Sequence, residues 1–410
     1  MSYPDSASND AETLESPTVS FESLGVDPFL IARLQIQGIT IPTPIQEQAI
    51  PPLFRREHAL FSSPTGSGKT LAYLLPLVQA MLVPASQPQQ GASWPELLIC
   101  APTFELCSQI FSVVETLLED PGPFRPISRS LVIGSGNLSR QIDRLRREKP
   151  RIIVGNPGRL ALLARMGKLK LRGVAFFVLD EGDRLVADEL WGETQELASY
   201  LNPARITVSC SATLPTKSLE RLRSIVGTNP AFSASLQGDL LQNAIEHWAL
   251  FSESRNKIRT LRSFLAAVKP RKTLVFASRG GDAGNVLSQL QHHGIAAGGL
   301  WGSMEKQARK QSLDDFRAGR VAVLVTTDLA ARGLDIPGIS HIVALDVPQE
   351  PDPYIHRAGR TARAGKRGIM VTIGDGLEME RLAKLEKKLK IVIYPKVLEY
   401  GRLLPADERA

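Results

Sequence analysis

The segment "SPTGSGKT" at residues 63–70 combines small residues, a lysine and a threonine in an order that suits phosphate binding. Small residues let backbone N–H groups point at phosphate oxygens, a lysine reaches the β- and γ-phosphates, and a hydroxyl can hold Mg²⁺. Lys69 and Thr70 supply the last two groups. The loop before them consists of Thr65, Gly66, Ser67 and Gly68. Ser63 stands where the strict pattern has glycine, but a small residue still fits, so the sequence predicts a loop that binds a nucleoside triphosphate.

The segment "VAFFVLDEGDRL" at residues 174–185 places three carboxylates at the end of an apolar run. The bulky, aromatic and β-branched residues before them suit a strand that is buried on both faces of a parallel sheet. Asp180, Glu181 and Asp183 would then lie at the carboxyl edge of the sheet, where ligands of open α/β folds usually bind. Acidic residues also occupy ordinary solvated turns, so the segment alone leaves both interpretations open.

The phosphate loop upstream favours the first of these interpretations. In a nucleotide site with such a loop, one acid of this strand holds Mg²⁺ and the next orients or deprotonates the attacking water. Asp180 and Glu181 have this order, and Thr70 and Asp180 are the predicted metal-binding residues. A buried strand holds the carboxylates in the geometry that the reaction needs. The sequence therefore predicts hydrolysis of ATP, with Mg²⁺ as a cofactor.

The segment "YIHRAGRTARAG" at residues 354–365 carries Arg357, Arg360 and Arg363 at three-residue spacing. This spacing can place Arg360 and Arg363 on one side of a helical turn, where both reach the same anion. A basic loop in contact with solvent or RNA phosphate explains the segment alone equally well. Beside the nucleotide motifs, the segment favours two catalytic arginine fingers that reach the ATP site from the second half of the chain.

Short apolar runs alternate with amphipathic segments along the whole chain, which predicts an α/β architecture in two copies. A chain of 410 residues exceeds the size at which one hydrophobic core stops growing, so two domains are expected. The segment "GTNPAFSASLQGDLLQN" at residues 227–243 lacks periodicity and predicts the boundary. The predicted parts are a disordered tail at 1–20, an N-terminal domain at 21–228, a linker at 229–243, a C-terminal domain at 244–400 and a tail at 401–410. Another insertion, at residues 84–95, is predicted to be a surface loop.

The formal charge of +7 is concentrated in the second half of the chain. Residues 1–240 carry −2 and residues 241–410 carry +9, which favours a polyanionic partner such as nucleic acid, although a solvated basic surface is nearly as common. No apolar stretch has the length of a membrane span, and the N-terminus has no export signal. The three cysteines are too few for a disulfide framework and are interpreted as packing residues. We therefore expect a cytoplasmic protein without a membrane partner.

Taken in order, these motifs resemble those of the DEAD-box family of ATP-dependent RNA helicases, from about Phe21 to about residue 395. The resemblance implies two tandem RecA-like domains, each with a mostly parallel sheet flanked by helices. The segment "GITIPTPIQ" is similar to the family's adenine-reading element, with Gln46 as the base-specific residue and Phe21 as its upstream aromatic. The segment "TTDLAARGLD" resembles one in which Gly333 and Asp335 approach the nucleotide.

The resemblance also implies residues for domain coupling and for RNA binding. The segment "SAT" at residues 211–213 resembles the element that couples the ATP site to domain closure. The implied coupling residues are Asp183, Ser211, Thr213 and His356. The implied RNA-binding residues are Pro102, Thr103, Gly134, Gly158, Arg159 and Thr327.

In this family the two domains close on ATP and on one RNA strand, bending the strand so that a short duplex cannot remain paired. Because ATP and RNA each bind the closed state better, each promotes binding of the other. RNA is contacted mostly through phosphates and 2′-hydroxyls, which gives little sequence preference. The resemblance predicts a monomeric RNA helicase, with an ATP-gated RNA clamp as the alternative and a DNA translocase disfavoured. Whether a ribonucleoprotein or a protein cofactor is a further partner stays open.

The chain departs from the family's pattern mainly on the RNA side. Gly182 replaces the alanine of the name-giving tetrapeptide, which removes no ligand. Phe104 stands where an arginine would help to hold RNA, and packing against the protein surface is favoured over stacking on a base. Ser135 and Asn156 replace a glycine and a threonine of two further RNA elements. The nucleotide half of the site is therefore expected to be intact, with weaker RNA contacts.

Overall fold

The computed structural model describes residues 19–63, 66–84, 86, 94–134, 137–227, 230, 232–235, 244–278, 280–331, 336, 338–362 and 366–408. Most of the predicted tail at 1–20 and of the predicted loop at 84–95 lies outside these residues. The described chain contains two sheets, each flanked by helices. The predicted α/β fold is therefore confirmed.

The first sheet is parallel throughout its described pairs. Its strands are β1 Ala59–Ser62, β2 Leu97–Cys100, β3 Arg129–Val132, β4 Ile152–Gly155, β5 Phe176–Asp180, β6 Ile206–Ser211 and β7 Phe232–Ser235. They lie in the order β3-β4-β2-β5-β6-β1-β7. The accompanying helices are α1 Pro28–Ile36, α2 Pro44–Phe54, α3 Lys69–Gln79, α4 Phe104–Leu117, α5 Leu138–Glu148, α6 Pro157–Arg165, α7 Gly182–Leu185, α8 Asp188–Ser199 and α9 Thr216–Val226.

The second sheet is parallel except at its last pair of strands. Its strands are β8 Ile245–Phe251, β9 Thr273–Phe276, β10 Ala297–Leu300, β11 Val323–Thr326, β12 His341–Ala344, β13 Gly368–Gly374, β14 Ile393–Glu399 and β15 Arg402–Pro405. They lie in the order β10-β11-β9-β12-β13-β8-β14-β15. The helices are α10 Lys257–Val268, α11 Gly280–His292, α12 Lys306–Arg317, α13 Asp328–Ala331, α14 Pro351–Ala358 and α15 Gly376–Leu389, and short 3₁₀ helices lie at Ser254–Asn256 and Ala406–Glu408.

Two predicted irregular segments contain strands. The segment at 229–243 was expected to be a linker, but β7 within it pairs in parallel with β1. The segment at 401–410 was expected to be a tail, but β15 within it pairs antiparallel with β14. Both strands lie at sheet edges, and neither has the uninterrupted apolar run of a central strand such as β5.

The order of the buried central strands brings the segments with the predicted catalytic residues together. Every residue of β1 and of β5 is buried, because helices cover both faces of a parallel sheet. The strands β5, β6 and β1 are neighbours, so their carboxyl ends meet at one edge. The phosphate loop follows β1, the carboxylates end β5, and Ser211 ends β6. No helix among the described residues is long and apolar enough to cross a bilayer.

Candidate ATP site and domain-coupling site

The phosphate loop wraps the start of α3 through two glycines with positive φ. Gly66 has φ +83° and Gly68 has φ +91°, a conformation that side chains with a Cβ rarely adopt. Lys69 is buried, and its Nζ donates to the backbone oxygen of Ser63 at 2.5 Å. Burial lowers the pKa of Lys69, and nearby acids act against this shift. Thr65, the first predicted loop residue, lies outside the described residues.

The predicted adenine-reading residue Gln46 lies against this loop. Its Nε2 donates to the backbone oxygen of Gly68 at 3.1 Å, and its Oε1 accepts from the backbone N–H of Thr43 at 2.9 Å. A Cβ at position 68 would lie 2.5 Å from Gln46 Nε2, so this approach requires glycine. Phe21, the predicted upstream aromatic, is buried in the hydrophobic core of the first domain. The adenine-reading roles of both residues stay predictions.

The Asp180 carboxylate is held by three donors from different elements. Its Oδ2 accepts from the Tyr73 hydroxyl of α3 at 2.8 Å. Its Oδ1 accepts from the backbone N–H of Glu181 at 2.9 Å and from the Cys210 thiol of β6 at 3.3 Å. Burial raises the pKa of Tyr73, and Asp180 raises it further, so the hydroxyl remains a proton donor. No motif in the sequence singles out Tyr73, and Cys210 is predicted from the sequence only to be a packing residue.

Signals for these two residues are present in the sequence but weak. Tyr73 lies four residues after Lys69, so the two side chains share one face of α3. Cys210 is paired with Asp180 in the register between β5 and β6. Finding either residue from sequence would have required the strand order and this register.

Glu181 and Arg360 approach each other from the two domains. Glu181 has φ +52°, which places it at a turn between β5 and α7. Burial raises the pKa of Glu181, while the charges of Arg360 and His356 lower it. The Arg360 side chain is buried, and its Nε donates to the backbone oxygen of His356 at 3.3 Å. Arg363, the second predicted finger, lies outside the described residues, as do Gly333 and Asp335.

Asp183 connects the two domains. Its backbone N–H donates to Ser211 Oγ at 3.0 Å, and Thr213 Oγ1 donates to Asp183 Oδ2 at 3.1 Å. His356 Nε2 of α14 lies 3.5 Å from the same Oδ2. Burial would raise the pKa of Asp183, but the hydrogen bond and charge of His356 outweigh it, so the pKa is lowered. The structure therefore brings all four predicted coupling residues together.

Arg357, the first arginine of the triplet, is bound within its own domain. Its Nε and Nη2 donate to the two carboxylate oxygens of Asp328 at 2.7 and 2.6 Å, and Nη2 also donates to Asp346 Oδ2 at 2.9 Å. A bidentate arginine–carboxylate pair fixes both partners in orientation. Because Asp328 follows Thr327 directly, Arg357 also holds the segment that carries this predicted RNA-binding residue.

Two predicted RNA-binding residues of the first domain, Gly134 and Arg159, are hydrogen-bonded to each other. Asn156 Oδ1 accepts from the backbone N–H of Gly134 at 3.2 Å, and Arg159 Nη2 donates to the backbone oxygen of Gly134 at 2.6 Å. Asn156, one of the departures from the family pattern, thus supports Gly134. At position 158, a Cβ would lie 2.8 Å from the carboxylate oxygens of Glu193, so a larger residue there would displace this exposed side chain.

Phe104, a departure from the family pattern, begins α4 beside two predicted RNA-binding residues. Thr103 caps this helix, accepting from the backbone N–H of Leu106 at 3.2 Å, and Pro102 precedes it. The Phe104 residue is 40% exposed, so the expectation that it packs against the surface is met only in part. The next residue, Glu105, forms an ion pair with Arg309 of the second domain. The exposed ring therefore lies beside a second contact between the domains.

Comparison with known proteins decides the family. The DEAD/DEAH box helicase family model matches residues 43–222, and the helicase conserved C-terminal domain matches residues 256–365. The DEAD-box ATP-dependent RNA helicase CshC of Bacillus cereus is 32% identical over 385 residues, which cover 94% of this chain and 95% of that protein. The chain belongs to the DEAD-box family of ATP-dependent RNA helicases. This DEAD-box protein is therefore an RNA-dependent ATPase and an RNA helicase.

Similar solved structures show that this DEAD-box protein has two RecA-like domains. The structure of S. cerevisiae Dbp5 bound to RNA and ADP BeF3 matches with a TM-score of 0.81 at 26% identity, covering 93% of this chain and 96% of that one. A Dbp5 variant bound to a Gle1 variant and IP6 matches with a TM-score of 0.73 at 27% identity, covering 92% and 94%. The chain is therefore more similar to the RNA-bound structure of Dbp5 than to the one bound to the Gle1 variant.

Two buried polar atoms at this site fit ATP and Mg²⁺. Ser67 Oγ and Glu181 Oε2 are buried and have no hydrogen-bond partner among the described residues. The same part of the chain contains no group of three or more metal-ligating side chains. A Mg²⁺ ion at Thr70 and Asp180 would therefore share the phosphates of ATP, which is the usual way in which Mg²⁺ binds at such sites. The residues fit both groups.

Gly182, the departure that gives the sequence DEGD, is explained by a neighbour on β6. A Cβ at this position would overlap the hydroxyl of Ser209 and lie 3.1 Å from Leu222 Cδ2. Ser209 is fully buried, so its hydroxyl cannot turn into solvent. The glycine therefore makes room for the Ser209 hydroxyl.

Gly182→Ala is expected to destabilise the protein by about 1–3 kcal/mol, which is typical of an added methyl in a packed core. The double variant Gly182→Ala with Ser209→Ala should recover most of this loss, because the overlapping hydroxyl is removed. Urea unfolding followed by circular dichroism measures both, with Ser209→Ala alone as the control. Equal stability of Gly182→Ala and the wild type would contradict this explanation.

Proposed function

We propose that this DEAD-box protein binds RNA across its two domains and uses ATP to separate short duplexes or to remodel RNA–protein complexes. The supporting observation is Asp183, which contacts Thr213 on the nucleotide side and His356 of the other domain. A residue that lies next to the hydrolytic carboxylate and contacts both domains couples nucleotide binding to domain closure. Closure in turn completes the RNA surface, which is the linkage that a helicase needs.

Each side chain of the ATP site has a separate role in ATP binding and hydrolysis. Lys69 and the N-terminus of α3 bind the β- and γ-phosphates, and Gln46 reads the adenine. Thr70 and Asp180 would hold a Mg²⁺ ion, which would neutralise charge on the phosphates. Glu181 orients the attacking water and accepts its proton at a carboxylate oxygen, and Arg360 stabilises charge that develops on the transferred phosphoryl group. Because Glu181 and Arg360 come from different domains, the hydrolytic site is complete only when the domains are closed.

The RNA surface combines backbone contacts with a basic helix. Pro102, Thr103, Gly134, Gly158, Arg159 and Thr327 are the proposed contacts to the strand. The helix α5 begins at Leu138, just beyond Gly134, and carries four arginines, three of which lie in its second half. Positive charge of this kind binds phosphates without reading sequence. We also propose that the protein acts as a monomer in the cytoplasm, with Mg²⁺ and with RNA of little sequence preference.

The test is steady-state ATP hydrolysis with no nucleic acid, with single-stranded RNA, with duplex RNA, and with DNA of the same sequence, at low salt. RNA is expected to raise the rate several-fold or more, and DNA is expected to leave it near the basal value. No stimulation by RNA, or equal stimulation by DNA, overturns the proposal. A strand-displacement assay on a short duplex then separates a helicase from an ATP-gated clamp, which would retain RNA without unwinding it.

A further inference from the structure

Tyr73 connects the phosphate-loop helix to the metal-binding acid. Its side chain is fully buried, and its hydroxyl donates to Asp180 Oδ2 at 2.8 Å. Cys210 is also fully buried and donates to the other oxygen, Oδ1, at 3.3 Å. The two donors come from helix α3 and strand β6, which lie on either side of the carboxylate's own strand in the chain.

These donors restrict rotation of the Asp180 carboxylate about its terminal torsion. The terminal torsion of an aspartate is broad, and its two oxygens together offer about four acceptor positions. Tyr73, Cys210 and the backbone N–H of Glu181 occupy three of these positions in the described structure. The orientation of Asp180 is therefore set by its neighbours before any ligand binds, which is what a metal site requires of the residues behind its ligands.

We infer that Tyr73 is a positioning residue that orients Asp180 toward the Mg²⁺ of bound ATP, with Cys210 as a weaker second donor. The inference rests on the proposed function, because it assigns Asp180 to Mg²⁺. Tyr73 acts through its hydrogen bond to Asp180. Its contribution is confined to the Mg²⁺-dependent part of nucleotide affinity, and the phosphate loop supplies the Mg²⁺-independent part.

The experiment measures binding of a non-hydrolysable ATP analogue by calorimetry, at saturating Mg²⁺ and in EDTA. The ratio of the two dissociation constants is the Mg²⁺ enhancement. Tyr73→Phe is expected to reduce this enhancement roughly tenfold, which is the usual effect of losing a partner behind a metal ligand. Affinity in EDTA should stay unchanged. Cys210→Ala should give a smaller reduction, because a thiol is a weak donor, and Cys210→Ser should restore the enhancement.

Two further comparisons distinguish a positioning role of Tyr73 from general damage to the protein. Tyr354 is also a buried tyrosine, and its hydroxyl is hydrogen-bonded to His247 Nδ1 at 2.9 Å, so Tyr354→Phe loses a comparable contact elsewhere. It should leave the Mg²⁺ enhancement at the wild-type value. In an Asp180→Asn background, Tyr73→Phe should have no further effect, because Tyr73 acts through the carboxylate.

Three outcomes overturn the inference. An unchanged enhancement in Tyr73→Phe would show that the tyrosine only packs, and an equal loss of affinity with and without Mg²⁺ would show general damage to the nucleotide site. A further loss in the Asp180→Asn background would show that Tyr73 acts independently of Asp180. If instead the wild-type protein fails to bind the analogue under either condition, the proposed function fails as well, so the two failures are distinguishable.

Discussion

Glu181→Gln is expected to lower the RNA-stimulated rate of ATP hydrolysis by about a thousandfold while ATP binding is retained. A positioned general base contributes roughly 10²–10⁴-fold to a rate, and glutamine cannot accept the proton of the attacking water. The exchange keeps the size of the side chain and removes its charge. Rates at saturating ATP and RNA measure the loss, and calorimetry with ATP and Mg²⁺ measures the retained binding.

Glu189→Gln is the matched control, because Glu189 lies on α8 of the same domain and is exposed. It should hydrolyse ATP at the wild-type rate. Because burial raises the pKa of Glu181, the folded state disfavours its ionised form, and removing that charge should not lower the stability of the protein. A Glu181→Gln variant that keeps the wild-type rate would show that another group activates the water.

Linear motifs made the nucleotide site predictable from the sequence. The apolar run at 174–179 has no polar interruption, so a buried strand ending at Asp180 follows from local composition, and the structure has β5 at Phe176–Asp180. The loop at 63–70 is likewise one contiguous segment, and α3 begins within it, at Lys69. In both cases the residues that do chemistry are sequence neighbours, so their arrangement depends little on the tertiary fold.

Contacts between distant segments were not predictable in the same way. The bond from Tyr73 to Asp180 depends on how α3 packs over β5, and the overlap between Gly182 and Ser209 depends on the register between β5 and β6. Neither the strand order nor that register follows from periodicity. The edge strand β7 escaped prediction for a different reason, since four residues at a sheet edge lack a distinctive pattern.

Two of the described contacts between the domains differ in how strongly they can couple nucleotide binding to closure. The pair of Glu105 with Arg309 is partly exposed on both sides, with 20% and 25% of the side-chain surfaces accessible, so solvent screens it. Asp183 and His356 are 5% and 9% accessible and lie beside Glu181. A buried contact next to the hydrolytic residue is lost when the domains separate, and it couples nucleotide occupancy to closure more strongly than an exposed pair does.

His356→Ala is therefore expected to reduce the coupling between ATP and RNA binding about tenfold. In the wild type, an ATP analogue should tighten RNA binding, and coupling between two sites typically amounts to 5–150-fold. Without the imidazole, Asp183 loses its partner in the other domain, so closure is less favourable. Fluorescence anisotropy of a labelled single-stranded RNA, with and without the analogue, measures the ratio of the two dissociation constants.

His293→Ala serves as the control for this variant, because His293 is an exposed histidine at the end of α11 in the same domain. It should keep the wild-type ratio. RNA affinity without nucleotide should be the same in all three proteins, since the Asp183–His356 contact is made in the closed arrangement. A His356→Ala protein with full coupling would show that closure is carried by other contacts, and Arg309→Gln would then be the next variant to measure. Loss of RNA affinity in the absence of nucleotide would instead place His356 in the RNA surface.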